Sequence, residues 1–361
     1  MLSNDKILSE TINFLRFPLI VGVVFIHTIL TGVNIGQSVL VKQGDFPLHD
    51  ILQHLISNEF ASIAVPLFYF ISGFLFFAHN NFSYLTYRNK IKRRIHSLLI
   101  PYLFWNIAVF GLFFLTQTCL SSMTSGINKQ IVNYTLSDWL GIFWNHRDGM
   151  PICYQFWFIR DLMVVVLCSP IIYLFVRYFK LIGIITLGLF WCLGMSLHIT
   201  GFSSAAFFFF SFGAWFAINQ HNFISAFKPL RLPFTFLYTL IIIVATFLWY
   251  KQIEGLVFIR HMGIAIGLIM VVTWTAHAIQ NNILKCNASL SQSSFFIYAF
   301  HSMPLAIVVK LWIKFIQPTT ELTMILGYIL IPLFIVGLGF SIFIMMQKYL
   351  PRFTSIITGG R

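Results

Sequence analysis

The sequence predicts an all-α, polytopic membrane protein of about ten transmembrane helices. Three observations carry that prediction. Of 361 residues, 58% are hydrophobic and only 9% charged, with a mean hydropathy of +0.84, whereas a soluble domain holds roughly a quarter charged residues. Apolar runs of about 20 residues, the length that crosses the hydrocarbon core, recur along the whole chain. The basic residues are gathered into every second loop between those runs, the distribution that sets membrane topology.

The runs fall, in order, at 12–32, 61–79, 97–118, 157–176, 181–199, 202–219, 233–250, 256–279, 294–316 and 322–346. The fifth and sixth are divided only by Thr200 and Gly201. One set of flanking segments holds Lys6, Arg16, Arg88, Lys90, Lys92, Arg93, Arg94, Arg177, Lys180, Lys228, Arg231, Lys285, Lys348, Arg352 and Arg361. The other holds Lys42, Lys129, Arg147 and Lys251, offset by Asp45, Asp50, Glu59, Asp138, Asp148 and Glu254. The first set is therefore cytoplasmic, and both termini face the cytoplasm. The formal charge of +13 is spent on this topology, so nucleic acid is not an expected partner. The first span lacks a small-residue cleavage site, so it is read as a helix and not a signal peptide. Residues 1–361 are read as one integral-membrane domain.

Two outer loops are long. Residues 33–60 carry His49, Asp50, His54 and Glu59; residues 119–156 carry Trp139, Trp144, His146, Arg147 and Asp148. Aromatic rings mixed with polar groups suit sugar stacking, and they equally suit an interfacial aromatic belt. The five cysteines, 119, 153, 168, 192 and 286, form no CxxC pair; a Cys119–Cys153 disulfide is open if their loop meets an oxidising compartment.

Arg16 and His27 share the first span. Eleven residues turn an α-helix through about 1100°, within about 20° of whole turns, so both lie on one face about 16 Å apart. Ionisable groups inside a span usually face protein or a water-filled cavity. A buried neutral imidazole can take a proton as a general base, and a guanidinium fork suits phosphate or a carbonyl. The alternatives are a hydrogen-bonded core histidine and an arginine reaching the headgroups. Lys90, Arg93 and Arg94 belong to the densest basic run, which can anchor the chain inside or bind an anion. Ser72-Gly73 suits close helix approach. Trp157, Arg160 and Asp161 sit at one span's outer end, and Tyr298 and His301 lie within another, as candidate polar lining.

Together these segments resemble the membrane acyltransferase 3 family. Arg16 and His27 match its Arg/Lys-ten-residues-His hallmark, and FYFISGFL resembles its second span. LIPYLFW at 99–105 resembles the opening of the third, QFWFIRDL its WFL motif, and SFFIYAFHS its SF-IY-H motif. The family's Arg-x-x-Arg pair is not reproduced: Lys90-x-x-Arg93 comes nearest, and Arg94 is followed three residues on by Ser97.

The resemblance implies transfer of an acyl group, usually acetyl from acetyl-CoA, to a hydroxyl on a surface polysaccharide or lipid-linked glycan, in a bacterial inner membrane. It implies His27 as base and Arg16 on the donor side; Lys90, Arg93 and Arg94 are the candidate cofactor-binding residues, and Trp157, Arg160, Asp161, Tyr298 and His301 the candidate substrate-binding residues. No metal is expected; membrane lipids are partners, and a homo-oligomer and a succinyl donor are open. The rival is a transporter or flippase for a lipid-linked sugar or small solute, which would show repeat symmetry and paired broken helices.

Overall fold

A computed structural model describes residues 4–35, 38–78, 82–119, 129–145, 149–253 and 255–360. His146, Arg147, Asp148, Glu254 and Arg361 lie outside the described residues. The chain is predominantly helical and a multi-pass membrane protein. Seven described helices are long and apolar enough to cross a membrane: Asp5–His27, Pro47–Phe77, Tyr84–Cys119, Ser169–Cys192, Phe223–Tyr250, Leu256–Gln280 and Glu321–Tyr349. The pair Ala288–Phe300 and Ser302–Ile316, bent by 67°, makes an eighth if taken as one span.

The expected ten spans differ from this in the middle of the chain. Trp157–Leu167 (α7) has 11 residues and Ser204–Ile218 (α9) has 15, both shorter than a full crossing. Ser169–Cys192 (α8) runs through the expected turn, which survives as a kink: Lys180 has φ 49° and ψ −138°. Arg177 and Lys180 marked the break between the expected fourth and fifth runs, but the chain turns at Lys180 within one helical stretch and not in a loop.

The outer loop expected at 33–60 is also corrected. Its first part holds, among the described residues, a short antiparallel pairing of Asn34 with Val39. From Pro47 the chain is helical: α2 (Pro47–Gln53), a π-helical stretch His54–Phe60, a 3₁₀ turn Ala61–Ile63, then α3 (Ala64–Phe77). The first turn of α2 is capped by a carboxylate from far along the chain, since Glu321 accepts from the backbone N–H of Leu48 at 3.1 Å and of His49 at 3.0 Å. A negative charge at a helix N-terminus is favourable.

The chain forms two compact units, each drawn from three stretches. The first comprises Met1–Ile26, Ile51–Lys92 and Val164–Ser294. Its tightest joint is between α3 and α9. A Cβ on Gly73 would collide with the Phe210 carbonyl, and one on Gly213 with the Phe70 carbonyl, so two glycines let the backbones meet. Around them the rings of Phe70, Phe74, Phe223 and Phe227 interlock, with Phe70 and Phe223 edge-to-face at 5.1 Å.

The second unit comprises His27–Asp50, Arg93–Met163 and Phe295–Arg361. Phe296, Phe343 and Ile357 centre one core. There Trp105 of α5 (Ile100–Cys119) donates its indole N–H to the Ile357 carbonyl at 3.1 Å. This ties α5 to the C-terminal helix Pro351–Thr358.

Candidate functional site

The second unit gathers most of the expected site residues. His27 is the last residue of α1 (Asn4–His27). His301 stands at the break between α13 (Ala288–Phe300) and α14 (Ser302–Ile316). The break follows from Pro304, which has no N–H for the Phe300 carbonyl and whose ring crowds it. The two imidazoles stack with centroids 5.3 Å apart and planes 29° apart. Tyr154 meets His27 edge-on at 5.2 Å.

His301 is fully buried, and its Nδ1 lies 2.7 Å from the Tyr298 carbonyl. A carbonyl can only accept, so Nδ1 carries the proton and Nε2 presents its lone pair. That Nε2 is buried and has no hydrogen-bond partner among the described residues.

A reciprocal clamp holds the break in place. Gln155 donates its side-chain N–H to the Ala299 carbonyl at 3.1 Å, and the Tyr298 hydroxyl donates to the Gln155 carbonyl at 2.5 Å. Phe156 stacks on Tyr298 at 5.4 Å with planes 3° apart. Gln155 and Phe156 thus pack the break, and Trp157, expected to line the substrate site, is half-buried beside them.

Arg160 and Asp161 are buried against one another. The Arg160 guanidinium donates to Asp161 Oδ1 from Nε at 2.9 Å and from Nη2 at 2.7 Å. It also donates to the Gly149 carbonyl and lies 5.4 Å from the Trp144 ring. The pair is thus spent on fastening the segment around Trp144 to α7. Trp139 likewise packs on Phe110 at 5.1 Å. Cys119 and Cys153 are free thiols, one exposed and one buried.

The expected cationic residues are divided between the two units. Arg16 is half-buried on α1 in the first unit, within electrostatic reach of Cys286. Lys90 donates to the Phe76 carbonyl and sits 5.2 Å over its ring. Arg93 is exposed and Arg94 half-buried in the second unit. Among the described residues no group of three or more His, Cys, Asp or Glu could hold a metal ion.

The first unit also holds a buried polar cluster that sequence reading placed in a loop. His54 Nε2 lies 3.1 Å from Glu59 Oε1, both side chains 2% exposed, and His54 stacks on Trp249 at 4.2 Å. Asn58 contacts His54 Nδ1 at 3.1 Å and takes the Arg260 Nε–H on its carbonyl at 3.2 Å. The signal was the five-residue spacing of His54 and Glu59. It aligns side chains on a π-helix, whose bonds run i to i+5, and not on an α-helix.

A polytopic helical protein with a paired-histidine site at the end of its first span is a coherent class, and comparison with known proteins supplies the family. The acyltransferase domain family matches residues 10–346, and the chain belongs to it. It is 27% identical over 183 residues to the succinoglycan biosynthesis protein ExoH of Rhizobium meliloti (strain 1021). That match covers 51% of this chain and 47% of the relative, so the chain spans about half the length of the curated relative it matches. No solved structure matches.

Proposed function

We propose that this protein transfers an acyl group, acetyl from acetyl-CoA, to a sugar hydroxyl of a surface polysaccharide or lipid-linked glycan. The observation that carries the reading is the stacked His27–His301 pair on the second unit's helix break. Family membership and the succinoglycan biosynthesis relative support acyl transfer to a glycan.

In this reading His27 takes the proton of the acceptor hydroxyl as the oxygen attacks the thioester carbonyl. The C–O bond forms, the C–S bond breaks, and the proton on His27 leaves with the thiolate as the free thiol. Such a base is worth about 10²–10⁴-fold in rate. His301 and Tyr154 hold the His27 ring, and Arg16 lies eleven residues nearer the donor side on the same helix. The charge distribution supports a bacterial inner-membrane topology with both termini cytoplasmic, so donor and acceptor arrive from opposite faces.

The test incubates membranes containing the protein with radiolabelled acetyl-CoA or succinyl-CoA and follows label into extracted glycan. Acetyl transfer by the wild type and its loss in His27→Ala is the expected result. Equal labelling by wild type and His27→Ala removes His27 from the chemistry. Transfer from succinyl-CoA alone replaces the acetyl donor.

A further inference from the structure

Two cavities in the first unit share Asn222 in their linings. The larger has a volume of about 710 Å³ and an aromatic wall. In that wall Phe82 and Tyr173 stack at 4.7 Å with planes 29° apart, and Phe77 packs on Phe82 at 5.2 Å. Arg177 stands at this wall, its Nη1 donating to the Tyr173 hydroxyl at 3.2 Å. The smaller, about 80 Å³, is lined by Lys228, Arg231 and His277. Arg231 lies 4.8 Å over Trp274, and its Nε is buried with no hydrogen-bond partner among the described residues.

This is a polar device without its counterpart. A buried guanidinium N–H left unpaired is unfavourable, and Arg is the side chain best shaped for phosphate. Three cations, Arg177, Lys228 and Arg231, face the two cavities against one acid, Asp5. The aromatic wall adds a flat face on which a planar base can stack, as bases do on aromatic side chains. Every lining segment also lies at a span end that the charge distribution assigns to the cytoplasmic side. These segments are residues 5–8, 74–78 with Phe82, 173–177, 216–231 and 273–280. The basic run at Tyr84–Arg94 fits less well, because Lys90 is already held by Phe76.

We infer that these neighbouring cavities seat the adenine nucleotide end of an acyl-CoA donor. The base lies along Phe82 and Tyr173, and the phosphates lie on Lys228 and Arg231. The inference rests on the acyl-CoA-dependent reading above and relocates its donor site. An anionic lipid headgroup would use the same cations but has no planar ring for the wall.

The test measures transfer kinetics of the full-length protein in nanodiscs with acetyl-CoA and with acetyl-pantetheine, which carries the thioester but no phosphate or base. Arg231→Gln with Lys228→Gln should raise the KM for acetyl-CoA about tenfold or more, the scale of lost charge-assisted hydrogen bonds. It should leave kcat and the KM for acetyl-pantetheine unchanged, and Arg231→Lys should recover part of the loss. Adenosine 3′,5′-bisphosphate should compete with acetyl-CoA on the wild type, a measurement that stands if the variants fail to accumulate. Unchanged KM in the variants, or no competition, overturns the inference while leaving acyl transfer intact. So does a variant effect seen only as a changed requirement for anionic lipid vesicles. No transfer by the wild type from any acyl-CoA would instead remove the reading on which it rests.

Discussion

The imidazole of His301 stacks on that of His27 at 5.3 Å while its own Nδ1 is fixed to the Tyr298 carbonyl at 2.7 Å. One ring is thus oriented by backbone, and the other leans on it. His301→Asn keeps an N–H for the Tyr298 carbonyl but removes the stacking face. Under the proposed reading its kcat should fall by on the order of 10²-fold, as small misplacements of a reacting group do, with thermal stability close to wild type. Initial rates and a melting curve on the same preparation check both. A wild-type kcat would show that the stack does not position His27.

Arg160 and Asp161 form a buried pair, 6% and 4% exposed at the side chain. Asp161→Ala leaves the guanidinium without its carboxylate and should destabilise the protein by about 3–5 kcal/mol. The double change Arg160→Met, Asp161→Leu should be milder than Asp161→Ala. Thermal unfolding in detergent reads the order, and the reverse order would argue against a mutually dependent pair.

At the joint of α3 and α9, Gly73→Ala must move backbone, because the added carbon meets the Phe210 carbonyl. A loss of about 1–3 kcal/mol is expected for such overpacking. Gly111, whose added carbon would meet nothing within 4 Å, is the matched control and should tolerate alanine.

Burial pushes the Cys153 thiol well above the usual thiol range. The fold therefore disfavours the thiolate, and the unfolded chain ionises first. This contribution to stability is full below about pH 8.5, the ordinary thiol value, and is lost as pH rises beyond it. Cys153→Ala should flatten part of the alkaline fall in melting temperature. In single-cysteine variants, maleimide should label exposed Cys119 in the native protein and Cys153 only after unfolding.

Much of the candidate site was legible in sequence because ionisable residues stand out in apolar helices. His27, His301, Tyr298, Arg160 and Asp161 were all visible as polar exceptions, and the Ser72-Gly73 pair announced a close helix approach. The roles of Gln155 and Phe156 were not legible, since a glutamine and a phenylalanine beside a span look like ordinary flanking residues. Nor was the use of Arg160: nothing in the order of residues shows that Asp161, the Gly149 carbonyl and Trp144 would absorb its guanidinium. His54 and Glu59 were read as loop residues because polar density suggested solvent. In fact a π-helical stretch turns the two toward one another and buries them.

By itself the sequence determined that this chain lives in a membrane, where most of its long apolar helices lie, and to which family it belongs. Those are properties of composition, spacing and local order. Only the tertiary structure decided which polar residues face each other. Pro304 bends the chain at His301, the Tyr298 carbonyl selects its tautomer, and the clamp through Gln155 fixes the break. Cations that hydropathy counts alike then diverge, with Lys90 tied to Phe76 and Arg231 Nε buried with no hydrogen-bond partner among the described residues. The physical reason is that desolvation makes each buried polar atom depend on partners distant in sequence, and only folding settles which of them it meets.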